Sequence, residues 1–400
     1  MASIKKEYIP VAASHKDQAT ALGLCVAVNA STVIWGPPGH GKSKTIEAIA
    51  KANNLHLEPI IASTKEPPDF AGFPFIDKGL MKLAPPLWVN NIVRQYSENK
   101  RLSIAFFDEL STAVPATQAA VLTTILDRRS GETQMPMQTR MLAAANPPKI
   151  AANGWDLTPP MANRFTHLDW QLDAETVARG FQVGWDAPVV PRIPKNMASL
   201  IKNGRVLVGS FIKTRPAMVD FDFSKWSGNP SGSSDFRASN NAWPSPRSWE
   251  VAAKLFAAAT AARDADGKPL NSEIKKLLLE GTVGVAASTE FLEYVAKLDL
   301  PNPIDLLNDP GSFVVPDRGD KISAVLASVH HEATSHYKQP VYPQVWSAWG
   351  DIIVQVVDKG KGDVAFEFAR DWMKYRPEGT AMSTRHTSSL GPLLKQFEGV

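Results

Sequence analysis

Short apolar runs alternate with runs of helical period through the first 170 residues. The apolar runs are "TVIW" (32–35), "LHLEPIIAS" (55–63), "LSIAFFD" (102–108), "RMLAAAN" (140–146) and "THLDW" (166–170), and each predicts a strand. Helical spacing over 42–53 and 115–129 places helices between them, with Pro115 at a helix start where proline is tolerated. Strands that are apolar almost throughout, alternating with helices, predict a parallel sheet covered on both faces.

The pattern changes after residue 171. The stretches 173–181, 196–214, 245–265 and 271–298 read as amphipathic helices, and "SKWSGNPSGSSDFRASNNAWP" before the third reads as a long loop. Pro301 and Pro303 mark a boundary, and the last hundred residues look mostly helical. The expected division is 1–172, an α/β domain; 173–300, a helical segment with a Gly/Ser-rich insert at about 225–245; and 301–400, a mostly helical C-terminal region.

Composition narrows this only a little. A net charge of +3 over 400 residues demands neither nucleic acid nor an anionic membrane as partner. A lone cysteine, Cys25, rules out an internal disulfide, favours a reduced and cytoplasmic setting, and sits in an apolar run as a core residue. The start of the chain lacks the apolar core of a signal peptide. The uncharged run 19–35 is interrupted by Asn29, Ser31 and Thr32, so it reads as a helix end and a strand, not a membrane span. The tryptophans are scattered and read as core and interface residues.

The chemistry starts at "GPPGHGKS". Gly36, Pro37, Pro38, Gly39, His40, Gly41, Lys42 and Ser43 fit G-x-x-x-x-G-K-S between a strand and the helix that Lys44 and Thr45 continue. Glycines let backbone N–H groups converge on phosphate oxygens at a helix N-terminus. Lys42 would reach the β- and γ-phosphates and Ser43 would place its hydroxyl on Mg²⁺, whereas the His40 side chain has no assigned role. "IAFFDEL" puts Asp108 and Glu109 at a strand end, Asp108 for the Mg²⁺ shell and Glu109 as general base toward water. Asn146, ending the next strand, can orient that water. Arg164 precedes the last strand, where an arginine at a subunit edge can reach a neighbour's γ-phosphate, and Arg247 opens a helix and can couple phosphate state to domain angle.

In this order and spacing the five pieces resemble AAA+ ATPases, and within them the MoxR group of the clade that holds magnesium chelatase subunits and MCM helicases. The match covers about residues 20–260. The resemblance implies a P-loop NTPase αβα sandwich with a five-stranded parallel sheet, a helical lid and a helical C-terminal region. "GPPGHGKS" then looks like Walker A, "IAFFDEL" like Walker B, Asn146 like sensor 1, Arg164 like the arginine finger and Arg247 like sensor 2. It also implies ATP and Mg²⁺ at each junction of a hexameric ring or spiral. Two stretches, 67–88 around Asp77-Lys78-Gly79 and 130–139, lie where the clade inserts hairpins that face a pore or substrate. Arg128 and Arg129 end a helix and could also approach a neighbouring nucleotide. A partner with a von Willebrand factor A domain is implied by the same likeness.

"HHEATSH" does not fit a helical zinc pair, because His331 and His336 stand five apart with Ser335 where the second ligand belongs. Three functions follow from the same core: a chaperone-like ATPase acting on a protein partner, which is favoured; a nucleic-acid motor or loader, with Lys78 and Lys82 on phosphates; and an ATP-dependent scaffold, against which the Asp108–Glu109 pair argues.

Overall fold

β-Branched and aromatic runs form a central sheet here because only burial on both faces satisfies them. The structure, a computed structural model, describes residues 14–147, 154–185, 191–194, 197–219, 243–298 and 300–397. Residues 225–242 of the expected Gly/Ser-rich insert lie outside the described residues. In chain order the elements are α1 (His15–Ala27), β1 (Thr32–Trp35), α2 (Lys42–Ala52), β2 (His56–Ile61), α3 (Pro68–Ala71), β3 (Phe73–Asp77), β4 (Leu80–Ala84), α4 (Leu87–Asn99) and β5 (Ser103–Asp108). There follow α5 (Pro115–Asp127), β6 (Arg129–Ser130), β7 (Thr133–Gln134), β8 (Arg140–Ala145), α6 (Pro159–Ala162), β9 (Thr166–Asp169) and α7 (Ala174–Val183). The remainder is helical: α8 (Met197–Thr214), α9 (Pro246–Ala261), α10 (Ser272–Val283), α11 (Val285–Lys297), α12 (Pro303–Asn308), α13 (Gly319–Ser335), α14 (Tyr342–Asp358), α15 (Gly362–Lys374) and α16 (Thr384–Phe397).

The sheet has five strands in the order β2-β5-β8-β1-β9, and every pairing is parallel. This is the expected α/β P-loop sandwich followed by a helical extension. Pro59 is tolerated in β2 because that strand is an edge. Parallel registers such as Trp35↔Ala145 and Ile61↔Asp108 bring the C-terminal ends of β1, β2, β5 and β8 to one edge. That edge is where an open α/β sheet presents a ligand.

Both expected hairpins are present. β3 and β4 pair antiparallel through Lys78 and Gly79, whose φ angles of 51° and 76° are those of a two-residue type I′ turn. β6 and β7 form a shorter hairpin turning at Gly131. A side chain at Gly131 would stand 2.8 Å from the Ala71 carbonyl oxygen and 2.9 Å from Leu83 Cβ, so the second hairpin packs closely on the base of the first. Ser130 Oγ donates to the Phe70 carbonyl at 2.5 Å and fastens the same contact.

Two departures from the sequence reading have local causes. Helix α4, absent from the expected elements, buries Trp88, Val89 and Ile92 beneath an otherwise polar surface. The helix expected over 271–298 is broken into α10 and α11, because Gly284 adopts a φ of +85° that no continuing helix allows.

By contacts between residues the chain separates into two units, Met1–Arg192 with Val219–Ser288, and Ile193–Met218 with Thr289–Val400. The first holds the sheet with α9 and α10. The second is helical. At its centre Trp346 and Trp372 stack at 4.3 Å, and each indole N–H donates to the other's backbone carbonyl, at 3.0 and 2.9 Å. Trp35, Trp170, Trp249, Trp346, Trp349 and Trp372 are all fully buried, which bears out their reading as core residues.

Each unit also buries a histidine, His167 in the first and His330 in the second. Burial pushes both down to about 4 from an ordinary 6.5, so both are neutral in the folded protein. Because their folded pKa is depressed, their contribution is whole above pH about 6.5 and declines toward pH about 4, by up to about 3 kcal/mol each. Thermal unfolding followed by circular dichroism should show a midpoint that falls as the pH drops below about 6.5. A midpoint unchanged between about pH 8 and 5 contradicts the assignment.

Candidate functional site

The loop after β1 takes its shape from glycines and from Trp170. Gly39 and Gly41 have φ of 80° and 72°, a left-handed conformation that only glycine adopts freely. Gly36 is required for a different reason: a Cβ there would lie 2.3 Å from the Trp170 carbonyl oxygen. The Trp170 indole N–H donates to the His40 carbonyl at 3.0 Å, and its backbone N–H donates to the Trp35 carbonyl at 2.6 Å. A fully buried tryptophan therefore braces the loop at both ends, and His40 contributes its carbonyl.

Lys42 lies where this loop becomes α2, and its side chain is buried, 8% exposed. Its three ammonium hydrogens are all used: Nζ donates to the Gly36 carbonyl at 2.7 Å, the Pro37 carbonyl at 2.9 Å and Asn146 Oδ1 at 2.8 Å. Burial lowers its pKa, and the nearby Asp108 carboxylate opposes that shift. Ser43 Oγ donates to Asp108 Oδ2 at 2.7 Å. The sheet thus brings Lys42, Ser43, Asp108 and Asn146, from three strand ends, into one hydrogen-bonded cluster.

Asn146 is held from behind by Ser111, which is fully buried. Ser111 Oγ donates to the Asn146 carbonyl at 2.9 Å and accepts from its backbone N–H at 3.2 Å. Glu109 follows Asp108 with a φ of 56°, a left-handed conformation that costs a non-glycine residue about 1–2 kcal/mol. Its N–H donates to Asp108 Oδ1 at 2.9 Å, and its carboxylate accepts from Ser63 Oγ just beyond β2.

The other expected residues stand apart from this cluster. Lys44 is exposed and pairs with Glu47 at 2.8 Å, while Thr45 Oγ1 donates to the Gly41 carbonyl at 3.1 Å. Arg164 is half-buried, and its guanidinium donates to the Pro160 carbonyl. Burial lowers its pKa, the neighbouring Arg247 lowers it further, and Asp127 opposes both. Arg164 and Arg247 are therefore electrostatic neighbours of each other.

Arg128 is corrected from a residue able to approach a neighbour's nucleotide to a structural one. It is 7% exposed, its Nε donates to the Thr139 carbonyl at 2.9 Å, and Nη1 donates to the Ile125 carbonyl. Its left-handed φ of 52° caps α5 and turns the side chain inward. Arg129 remains exposed on β6.

Sequence reasoning missed Trp170, Ser111 and His167. His167 accepts from the Trp35 indole N–H at 3.0 Å on Nδ1, which fixes the proton on Nε2, and Nε2–H donates to the Ala162 carbonyl at 2.9 Å. It thus joins the strand that leads into the loop to the short helix before Arg164. Nothing local in "THLDW" announces the roles of His167 and Trp170, because both are set by contacts with β1 and the loop after it.

Oxygen ligands for a hard divalent cation are present in Ser43 and Asp108, whose hydrogen bond puts hydroxyl and carboxylate side by side. Such a donor set suits Mg²⁺, which takes few protein ligands and completes its shell with phosphate oxygens and water.

Residues 32–168 match the family model described as "ATPase family associated with various cellular activities (AAA)". A comparison with curated proteins gives no match. Among solved structures, the chain is similar to a "putative ATPase" from Cytophaga hutchinsonii at 15% identity, covering 71% of this chain and 89% of that one, with a TM-score of 0.39. It is similar to NtrX from Brucella abortus in complex with ADP at 14% identity, covering 91% and 69%, with a TM-score of 0.29. A RuvB P216G mutant from Thermotoga maritima matches at 12% identity over 83% and 87%, with a TM-score of 0.26. None of these superpositions is close enough to bear on function. The family match falls on the sheet that carries Lys42, Ser43, Asp108 and Asn146, so this chain contains an ATP-hydrolysing AAA domain over residues 32–168.

Proposed function

We propose that the protein is a MoxR-like AAA+ ATPase that assembles into a ring or spiral of six copies and uses ATP hydrolysis to remodel a protein partner. Lys42 leaves the loop carbonyls for the β- and γ-phosphates of ATP. Ser43 and Asp108 hold Mg²⁺, which when bound neutralises charge on the phosphate oxygens. Asn146 orients a water, Glu109 takes its proton, and the water oxygen attacks the γ-phosphorus as the bond to the bridging oxygen breaks. ADP and phosphate leave. Arg164 and Arg247, within electrostatic reach of each other on one subunit, face the γ-phosphate held by the next, where an arginine in trans lowers the barrier by about 4–7 kcal/mol.

The observation that carries the choice of partner is the tip of the β3–β4 hairpin. Ile76 is 81% exposed, Met81 76%, Leu80 66% and Phe75 44%. Ile76 and Met81 are cross-strand partners, so they present one apolar face. Such a patch marks contact with another apolar surface. Phosphate contacts need cations, and Lys82 is already engaged by Asp77 at 2.6 Å, which leaves Lys78 at the turn. This favours a polypeptide over nucleic acid. A von Willebrand factor A domain protein belongs to the same reading, as does a cytoplasmic location. No described helix is long and apolar enough to cross a membrane.

Glu109→Gln should still bind ATP and stay assembled, with turnover lowered on the order of 100-fold or more. Turnover near the parent value removes Glu109 as the base. The Glu109→Gln protein, purified from its own cells, should retain a protein partner, and adding Ile76→Asp and Met81→Asp should release it. Equal retention by both shows that the hairpin is not the contact. Turnover raised by DNA and suppressed steeply by salt selects the nucleic-acid reading instead.

A further inference from the structure

Arg164 and Arg247 are 83 residues apart in sequence, yet the Arg247 charge helps lower the Arg164 pKa. Like charges separate unless something holds them, and the chain supplies a clamp beside Arg164. Asn163 is 9% exposed. Its Nδ2 donates to the Trp243 carbonyl at 3.1 Å, and its Oδ1 accepts from Ser245 Oγ at 2.8 Å. Ser245 is the N-cap of α9, whose second residue is Arg247. Ser245 and Ser248 close a capping box there, so the α9 start is hydrogen-bonded within itself and to the Asn163 amide. Trp243 is 7% exposed and packs in the core of the sheet, which gives the clamp a fixed base.

We infer that Asn163 is a positioning residue that fastens the start of α9 to the Arg164 turn, so that Arg164 and Arg247 are presented together as one two-guanidinium site for the γ-phosphate of a neighbouring subunit. An amide suits this place because one contact needs a donor and the other an acceptor. Arg164 Nε is buried without a hydrogen-bond partner among the described residues, so this donor is left unsatisfied within the chain. Both polar atoms of the Asn163 amide are engaged by Trp243 and Ser245. Its influence runs through Arg247, whose helix start it fastens to the Arg164 turn, and it therefore bears on catalysis more than on nucleotide affinity. This inference rests on the proposal that Arg164 acts in trans.

The test is steady-state ATP turnover of the full chain with magnesium, comparing Asn163→Ala, Arg164→Ala, Arg247→Ala and the Asn163→Ala/Arg247→Ala double variant. Asn163→Ala should lower kcat about tenfold with KM for ATP changed less than about twofold. The double variant should be no slower than Arg247→Ala alone, because the amide acts through that arginine. If the two losses multiply, or if Asn163→Ala raises KM and spares kcat, the inference is overturned while the trans role of Arg164 stands. If Arg164→Ala and Arg247→Ala both leave kcat unchanged, the trans reading fails and the inference fails with it. Should Asn163→Ala not fold, Ser245→Ala removes the other end of the clamp and is read by the same criteria.

Discussion

The C-terminal edge of the sheet is organised by one buried ammonium. Lys42 donates to two carbonyls of its own loop and to Asn146, so a single side chain ties β1 to β8 and keeps the loop closed. Burial disfavours its charge, and the Asp108 carboxylate restores part of what burial removes. In the proposed function phosphate oxygens offer this ammonium a full negative charge where the carbonyls offer only dipoles. The loop can hold this shape without ligand because Trp170 closes on Gly36 and the His40 carbonyl.

A second chain of contacts leads away from that loop. Trp35 donates to His167, and His167 donates to Ala162, two residues before Arg164. Asn163 continues it to Ser245 and α9. The loop proposed to grip a nucleotide and the arginines proposed for the neighbour's nucleotide are thus joined by one path of hydrogen bonds and the Ala162–Asn163 peptide link. That path needs His167 neutral, since Nδ1 must accept from Trp35.

The sheet and the meeting of Lys42, Ser43, Asp108 and Asn146 were readable from sequence because their signals are local. Apolar runs fix strands, and glycine spacing fixes the loop around Lys42. The hairpin at Lys78 and Gly79 was readable for the same reason. Helix α4 was passed over, although Trp88, Val89 and Ile92 form its apolar face with Val93 packed beside them. Arg128 misled because a basic residue at a helix end looks exposed until its left-handed φ turns it inward. Trp170, Ser111, His167 and Asn163 act through partners more than thirty residues away or across the sheet, and no spacing rule reaches that far.

The most direct measurement of the central claim is ATP affinity by titration calorimetry with Lys42→Ala beside the parent protein. Loss of an ammonium paired with two phosphates should weaken binding on the order of 100-fold, equal to about 3 kcal/mol. Equal affinity in both proteins contradicts the assignment of this cluster as the nucleotide site.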